Sequence, residues 1–312
     1  MAEQANIILI GSYLVALVMD VDRIPVRGET VPARNFREEY GGKGSDMAVQ
    51  AARLGAKVDF VGVVGNDDFG RAFIRLMEQE GVNIDLLHQR DELATGAGFI
   101  IKSSDGYNII TVDIGANQLF SPADVDLAVP RMRPGSVMLI QLEIPLETAL
   151  HAARRGREQG CTVIFNPAPA HDLRGHDLSA VDILTPNETE ARVCLGLDPH
   201  DPTPDVEIGQ RLQSMGAKTV IMTLGERGSL IINSDGAQRI PAYRIDNVID
   251  STGAGDSFNA ALAVALLEGK ALAEAAQFAN AVAGLCCTRR ETVPSYHTRA
   301  EVEAFLRAAV LR

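Results

Sequence analysis

The 312-residue sequence has few cysteines, a deficit of basic residues and no long apolar run. Its four cysteines show neither metal-ligand spacing nor a disulfide framework, so we expect a reducing, cytoplasmic setting. Lysine and arginine number 29 against 41 acidic residues, which argues against nucleic acid and against an anionic membrane surface as partners. No apolar stretch approaches the ~20 residues that span a bilayer.

The N-terminal sequence also lacks the basic region that begins a secretory signal peptide. Its short apolar run, NIILIG, is therefore predicted to be a first buried strand. The hydrophobic fraction of 46% and the charged fraction of 22% are typical of a soluble globular protein. A chain of this length buries a large core without disulfides or metals, and we expect one domain over residues 1–312.

Short apolar runs rich in β-branched residues alternate with amphipathic segments of helical length. The runs lie at 6–11, 58–64, 136–141, 161–166, 181–186 and 218–223. The predicted helices include 68–79, 147–159, 206–215, 254–268, 272–287 and 299–311. This alternation predicts a mostly parallel central sheet covered by helices on both faces, which is a three-layer α/β/α fold.

Two stretches break the alternation. The first runs from about residue 14 to 40, and the second from about 95 to 115. The second predicts a hairpin made of FIIK, the turn SSDG and the strand NIITVD. We expect both stretches to pair in a small β-sheet at one edge of the core, where it would act as a lid.

The strongest local motif is DSTGAGDSF, which begins at Asp250. Gly253, Ala254 and Gly255 are small residues at the start of a predicted helix, where free backbone N–H groups bind phosphate well. Asp256 follows in the first turn, where a carboxylate stays ionised. Taken alone, Asp256 is equally well explained as a helix cap, but a cap does not need three small residues before it.

Neither glycine-rich segment matches a common nucleotide motif. Phe258 stands where the third glycine of a dinucleotide-binding fingerprint would be. GGKGS at 41–45 lacks the earlier glycine of a Walker A loop, and we expect no strand to lead directly into it.

The motifs together resemble the ribokinase, or PfkB, family of carbohydrate kinases. GAGD resembles the C-terminal signature of that family, and GGKGSDMAVQAARLGA resembles the N-terminal one. QLE, NPAPA, TPNETEA and TLGERG follow in the family's order, so the resemblance spans nearly the whole chain. It implies a ribokinase-like fold with a β-sheet lid, ATP-dependent phosphorylation of a hydroxyl on a sugar-like molecule, and a homodimer formed through the lids.

The resemblance also implies the catalytic roles. Asp256 would accept the proton of the attacking hydroxyl. The amides of Gly253, Ala254 and Gly255 would hold the charge that develops on the γ-phosphoryl group.

Nucleotide and metal roles are implied in the same way. Asn187 and Glu190, three residues apart, would help to hold the Mg²⁺ bound to ATP, often through water. The alternative is that they only begin a helix, with Asn187 as its cap. The implied nucleotide site adds positions that would serve equally well as ordinary turn and helix residues: Thr223, Gly225, Gly228 and Asn280.

The implied acceptor site departs from the family pattern. Gly42, Lys43 and Glu143 match it. Leu14 and Ala16, however, stand where the ribokinase branch has Asn and Asp, and they would present an apolar wall. Each sugar hydroxyl left unpaired there would cost about 1–3 kcal/mol, so we predict an acceptor other than ribose, with a deoxy, methyl or base-bearing edge.

Asp46 stands where the family has Asn. Its carboxylate would accept two hydroxyl hydrogen bonds or face an amino group; alternatively it only favours the first turn of a helix. Asp250 matches an aspartate that helps to bind a monovalent cation such as K⁺. Glu291 replaces a small residue near that site and would either crowd it or supply a carboxylate of its own.

Two other functions stay open. A nucleoside kinase would suit the apolar wall. A sugar- or nucleotide-binding regulator that kept the fold but lost turnover would suit the altered acceptor site.

Overall fold

The computed structural model describes residues 5–105 and 107–309, and all structural statements refer to these. The strands are β1 Ile7–Ile10, β2 Leu14–Val21, β3 Arg34–Gly41, β4 Val58–Gly65, β5 Asn83–Arg90, β6 Gly96–Ser103, β7 Asn108–Asp113, β8 Val137–Ile140, β9 Thr162–Phe165, β10 Ile183–Leu184, β11 Thr219–Thr223, β12 Ser229–Asn233 and β13 Gly236–Ile240. The α-helices are α1 Lys43–Arg53, α2 Asp68–Gln79, α3 Pro122–Leu127, α4 Leu146–Glu158, α5 Glu188–Cys194, α6 Asp205–Gln213, α7 Ala254–Leu267, α8 Leu272–Cys286 and α9 Arg299–Ala308.

Nine of these strands form one large sheet in the order β13-β12-β11-β10-β9-β8-β1-β4-β5. The seven strands from β11 to β5 are parallel, and β12 and β13 are added antiparallel at one edge. The central strands β1, β4 and β8 are buried along their whole length, as expected for a sheet covered on both faces. The predicted central, mostly parallel sheet is confirmed.

The two stretches that break the alternation form a separate four-stranded sheet, in the order β3-β2-β6-β7. Strand β2 pairs antiparallel with β3 and parallel with β6, and β6 and β7 form the predicted hairpin. Gly106, in the predicted turn of that hairpin, lies outside the described residues. The smaller sheet is therefore confirmed, and its action as a lid stays a prediction.

Apolar side chains from the helices pack on both faces of the large sheet. One buried cluster joins β1 and β4 to α1, α7 and α8, and the other joins β8 and β9 to α3, α4 and α6. Helix α2 has the predicted bounds, and α4 lies within one residue of them. Helix α9 ends earlier than predicted, and residues 310 and 311 of that prediction lie outside the described residues.

One expectation was wrong. Strand β3 leads through a single residue, Gly42, directly into α1, whereas we expected no strand before GGKGS. The cause is that β3 is exposed at the edge of the small sheet, so its sequence lacks the apolar run that marks a buried strand. Among the described residues, no helix is long and apolar enough to cross a membrane.

Candidate active site

The site is built around the first turn of α7. Gly253 begins this helix in the left-handed conformation, with φ at 78°, and no side chain caps its first N–H groups. The N–H of Ala254 donates to the Ser251 carbonyl at 3.2 Å, so the free amides are those that follow it, beginning with Gly255. A side chain at Gly255 would meet no atom within 4 Å, so the backbone here faces open space. Asp256 lies in the same turn and is only 7% exposed. The turn therefore offers free amides and a carboxylate side by side.

The carboxylate of Asp256 lies in a crowded electrostatic environment. Burial raises its pKa to about 6, the charge of Lys43 opposes this rise, and the carboxylates of Glu143 and Glu190 add to it. Asp256 in turn is the main cause of a raised pKa for Lys43, which keeps that ammonium charged. A carboxylate with a pKa slightly below neutral pH is ionised there and is still basic enough to take a proton.

Glu143 is oriented by three contacts at the carboxyl ends of β1 and β8. Its Oε2 accepts hydrogen bonds from the hydroxyl of Ser12 at 2.6 Å and from the backbone N–H of Lys43 at 2.8 Å. Gln141 donates to the Ser12 hydroxyl at 2.7 Å and accepts from the backbone N–H of Glu143. Ligands of parallel α/β sheets bind at this edge, where the loops after the strands meet.

The glycines of GGKGS allow α1 to begin against the loop after β1. Gly42 has φ at 88°, and a side chain there would come within 2.7 Å of the backbone N of Leu14. A side chain at Gly44 would come within 2.4 Å of the backbone N of Ser12. This close approach, rather than a phosphate, requires both glycines, and it brings Lys43 next to Glu143.

Asp46 lies one turn into α1 and is almost fully buried, at 3% exposure. Burial and the carboxylates of Asp256 and Glu143 raise the pKa of Asp46 well above its usual range. Its Oδ1 has no hydrogen-bond partner among the described residues. Leu14 and Ala16 occupy alternate positions of β2, so they share one face of the small sheet.

A cavity of about 380 Å³ lies beside the first turn of α7. Ala254 and Gly255 line it, so it opens onto the first turn of α7 and the free amide of Gly255. Four of the five residues predicted to bind the nucleotide line this cavity, namely Thr223, Gly225, Gly228 and Asn280, whereas the fifth, Asn187, is not among its lining residues. Its walls are otherwise mostly apolar, with contributions from Ala242, Tyr243, Ile245, Val248, Phe258 and Ala283.

For two of these four predicted nucleotide residues, the structure explains why that residue type stands there. Gly228 has φ at 84°, and a side chain there would come within 2.1 Å of the carbonyl oxygen of Ile240, so only glycine fits. The side-chain amide of Asn280 donates to the carbonyls of Ile240 and Pro241, both at 3.2 Å. These contacts fix the cavity wall with main-chain groups.

Asn187 and Glu190 form a capping box at the start of α5. Asn187 Oδ1 accepts from the backbone N–H of Glu190, and Glu190 Oε2 accepts from that of Asn187, both at 2.8 Å. The cap that we considered as the alternative is therefore present. Glu190 nevertheless lies close enough to Asp256 and Lys43 to affect the pKa values of both. The backbone of Asn187 also pairs with that of Thr223 in an isolated parallel β-bridge, next to the cavity.

Asp250 and Glu291 lie on neighbouring loops but do not face each other. Asp250 Oδ1 accepts from the N–H and the hydroxyl of Thr252, at 2.9 and 2.7 Å, and its Oδ2 accepts from the N–H of Glu291 at 3.4 Å. The Glu291 carboxylate lies 4.0 Å from Nε of Arg37, on β3. Both oxygens of Asp250 thus already accept hydrogen bonds from the loops around them.

Three polar residues of the site were not among the predicted site residues, although Gln141 belongs to the QLE motif. Ser12 and Gln141 orient Glu143, and Asn259 ties α7 to the loop after β10. Its amide accepts from the Thr185 hydroxyl at 2.6 Å and donates to the Gly255 carbonyl at 2.9 Å. Such residues act through neighbours that are distant in the chain, so only the folded arrangement identifies them.

Known proteins resemble this chain along nearly its whole length. The model of the pfkB family carbohydrate kinases matches residues 4–299. A ribokinase of Haemophilus influenzae is 36% identical over 301 residues, which cover 96% of this chain and 98% of that protein. A deoxyribokinase of Salmonella typhi is 33% identical over 305 residues, which cover 96% and 98% of the two chains. The structure of Arabidopsis thaliana ribokinase complexed with ribose and ATP superposes with a TM-score of 0.84, at 30% identity, and covers 97% of this chain and 99% of that one.

Proposed function

This chain belongs to the pfkB family of carbohydrate kinases, and we propose that it transfers the γ-phosphoryl group of ATP to a hydroxyl of a sugar-like molecule other than ribose. One observation carries the proposal. The first turn of α7 separates an apolar cavity of about 380 Å³ from a cluster made of Lys43, Asp46, Glu143 and Asp256. A nucleotide in the cavity would have its phosphates at the free amides, in reach of an acceptor held by the cluster.

The proposed reaction follows from this arrangement. The acceptor oxygen attacks the γ-phosphorus as its proton passes to the carboxylate of Asp256, and the bond between phosphorus and the oxygen of ADP breaks. The free N–H of Gly255 stabilises the charge on the transferred group, and the N–H of Ala254 does so once it leaves the Ser251 carbonyl. The ammonium of Lys43 adds a positive charge beside it. The raised pKa of Asp256 suits a base that works near neutral pH.

The residues fit a magnesium ion that arrives with ATP. Among the described residues, no three acidic, histidine or cysteine side chains gather into a metal site of their own. Magnesium bound to nucleotide phosphates needs only one or two protein carboxylates and keeps several waters, and it neutralises phosphate charge. Glu190 and Asn187 would hold those waters, since only Oε2 of Glu190 has a partner within the capping box. A dependence on K⁺ through Asp250 stays a prediction.

The proposal departs from ribose because of the acceptor half of the site. Leu14 is 5% exposed and shares its face of β2 with Ala16, so this wall offers no side-chain hydrogen bond to a sugar hydroxyl. Asp46 supplies a carboxylate from α1 instead. An acceptor with an apolar edge beside a donor group would satisfy both features, whereas ribose would leave hydroxyls unpaired.

A nucleoside is the second candidate acceptor. Ala16 pairs across the small sheet with Gly98, and a side chain at Gly98 would meet nothing closer than 3.9 Å. Two small neighbours on an apolar face leave room for a flat base. A deoxy sugar needs no such room, so the size of the best acceptor distinguishes the two.

The small sheet supports assembly as a homodimer. Large apolar side chains are exposed on it, namely Phe36, Phe99, Ile109, Ile110 and Val112. Phe99 and Ile109 lie on one face of the sheet, and Ile110 and Val112 lie on the other, which is the face of Ala16. Exposed apolar side chains of this kind are typical of protein–protein interfaces. Light scattering would give the mass of two chains, and an Ile110→Lys variant would give that of one. We also propose a cytoplasmic location, supported by four cysteines that are all free of disulfides.

The test is ADP release with Mg-ATP over a panel of sugars, sugar acids, polyols and nucleosides. We expect strong turnover of one compound other than ribose, and none with Asp256→Asn. Silence over the whole panel, with ATP still bound, would contradict a kinase for these acceptors and favour a binding or regulatory protein on the same fold.

A further inference from the structure

Tyr296 is a fully buried tyrosine behind the first turn of α7. It is 1% exposed, and its hydroxyl makes no hydrogen bond of regular geometry among the described residues, although Asp46 lies near enough to interact with it. Its backbone is held firmly, because its carbonyl accepts from Arg53 at 2.8 Å and Arg53 is paired with Glu80 at 2.6 Å. A buried hydroxyl without a partner costs free energy, so its presence calls for a function.

The hydroxyl of Tyr296 lies directly against Gly253. Any side chain at Gly253 would place its Cβ 2.6 Å from this hydroxyl, which leaves room for glycine alone. Gly253 starts α7, and Asp256 follows in the same turn. The position of Tyr296 therefore limits the position of the turn that carries the catalytic carboxylate.

The same hydroxyl lies near Asp46. Burial raises the pKa of Tyr296 well above its usual range, and the carboxylates of Asp46 and Asp256 add to the rise. The hydroxyl therefore stays protonated and is a donor. Asp46 has a buried oxygen without a donor, so the two groups complement each other.

We propose that Tyr296 is a positioning residue: its hydroxyl orients the Asp46 carboxylate toward the acceptor and, by packing on Gly253, fixes the spacing between that carboxylate and Asp256. The assignment of an acceptor to Asp46 rests on the proposed function, but the pairing of Tyr296 with Asp46 does not. Asp46 is faced by charged or polar groups from four directions. Asp256 comes from α7, Glu143 from the loop after β8, Lys43 from α1 itself, and Thr292 from the loop before Tyr296.

The first arm of the test needs no substrate. Thermal unfolding of the full chain is measured at about pH 5 and about pH 8 for the wild type, Tyr296→Phe, Asp46→Asn and the double variant. The folded-state pKa of Asp46 is raised, so its charge destabilises the fold as pH rises. We expect Asp46→Asn to raise the Tm by about 3 °C at the higher pH and by less at the lower one.

Tyr296→Phe gives the decisive comparison. We expect it to lower the Tm more at about pH 8 than at about pH 5, because the charged carboxylate loses its donor. In the D46N background this pH dependence should disappear. An equal loss of Tm at both pH values and in both backgrounds would mean that the ring only fills space, and would overturn the proposal.

The second arm uses the acceptor found in the panel. We expect Tyr296→Phe to raise the KM for the acceptor about tenfold, with the KM for ATP unchanged, since a hydrogen bond to a charged group is lost. Tyr13→Phe is the matched control, because Tyr13 is equally buried and its hydroxyl is also without a partner, but it stacks on Phe73. An equal KM rise in Tyr13→Phe, or none in Tyr296→Phe, would contradict the role. If no acceptor is turned over, the proposed function fails while the first arm still decides the pairing.

Discussion

The two halves of the proposed cleft are lined by different kinds of group, and we propose that they recognise their ligands by different means. The nucleotide half is an apolar cavity whose shape depends on main-chain groups, such as the Ile240 carbonyl that excludes a side chain at Gly228. The acceptor half is a cluster of charged side chains, in which Asp46 and Asp256 have raised pKa values around one lysine. Shape made by the backbone tolerates few changes. Side chains on a fixed backbone can be replaced without loss of the fold, so we expect specificity to change in the acceptor half.

The strongest way to break this contrast is to remove the group that both halves share. Asp256→Ala should lower kcat by about 10³-fold or more, because no other side chain in the turn takes the acceptor proton. The affinity for ATP, measured by calorimetry, should stay within a few-fold, since the cavity is intact. Retention of most activity would remove Asp256 from the role of base.

The nucleotide half, whose shape depends on the backbone, should be sensitive to substitution of its glycines. Gly228→Ala should weaken ATP binding by about tenfold or more and lower stability by about 2–3 kcal/mol, because the new methyl group meets the Ile240 carbonyl at 2.1 Å. Gly225→Ala is the control: its φ is also positive, at 56°, but its methyl group meets no atom within 4 Å. Calorimetry and thermal unfolding give both quantities. Equal losses in the two variants would show that backbone strain, not shape, sets the effect.

The acceptor half should instead gain a new acceptor when polar side chains replace its apolar wall. Leu14→Asn combined with Ala16→Asp should raise kcat/KM for ribose by about tenfold or more, because two unpaired hydroxyls find partners. The KM for ATP should not change, and it serves as the internal control. No gain in ribose turnover would mean that the acceptor pocket differs from a ribose site at more positions than these two.

The smallest expected effect is the dependence of kcat/KM on pH, which should differ from that of ATP affinity. Asp256 must be ionised to take a proton, and its pKa is raised to about 6, so kcat/KM should fall as pH drops through about 6. The fall should approach tenfold per pH unit below that value, while ATP affinity changes little. An acid limb centred near pH 4 would show that Asp256 is not held in the crowded environment described.

The sequence predicted the fold because its strands are short apolar runs and its helices are amphipathic. It expected the stretch of about 14–40 to join a small β-sheet but did not predict that a strand, β3, leads directly into GGKGS, because an exposed edge strand carries no such run. It also predicted the capping-box alternative at Asn187 and the residues around the cavity, since the motifs that carry them are local.

What the sequence could not predict depends on contacts between distant segments. From the sequence, Asp46 is interpreted either as a residue that favours the start of a helix or as a ligand of the acceptor. Only the fold shows that one of its oxygens lacks a partner and that Asp256 lies nearby. Glu291 was expected at the Asp250 site, yet its carboxylate lies by Arg37 of the small sheet, 254 residues away in the chain. Tyr296 carries no motif, and its contact with Gly253 exists only in the folded chain.

The most direct test of the account is the ratio of kcat/KM values for ribose and for the best acceptor, measured by ADP release with the same wild-type preparation. An intact nucleotide half with an altered acceptor half predicts that ribose lags by about tenfold or more, at the same KM for ATP. Ribose as the best acceptor, or as an equal one, would contradict it.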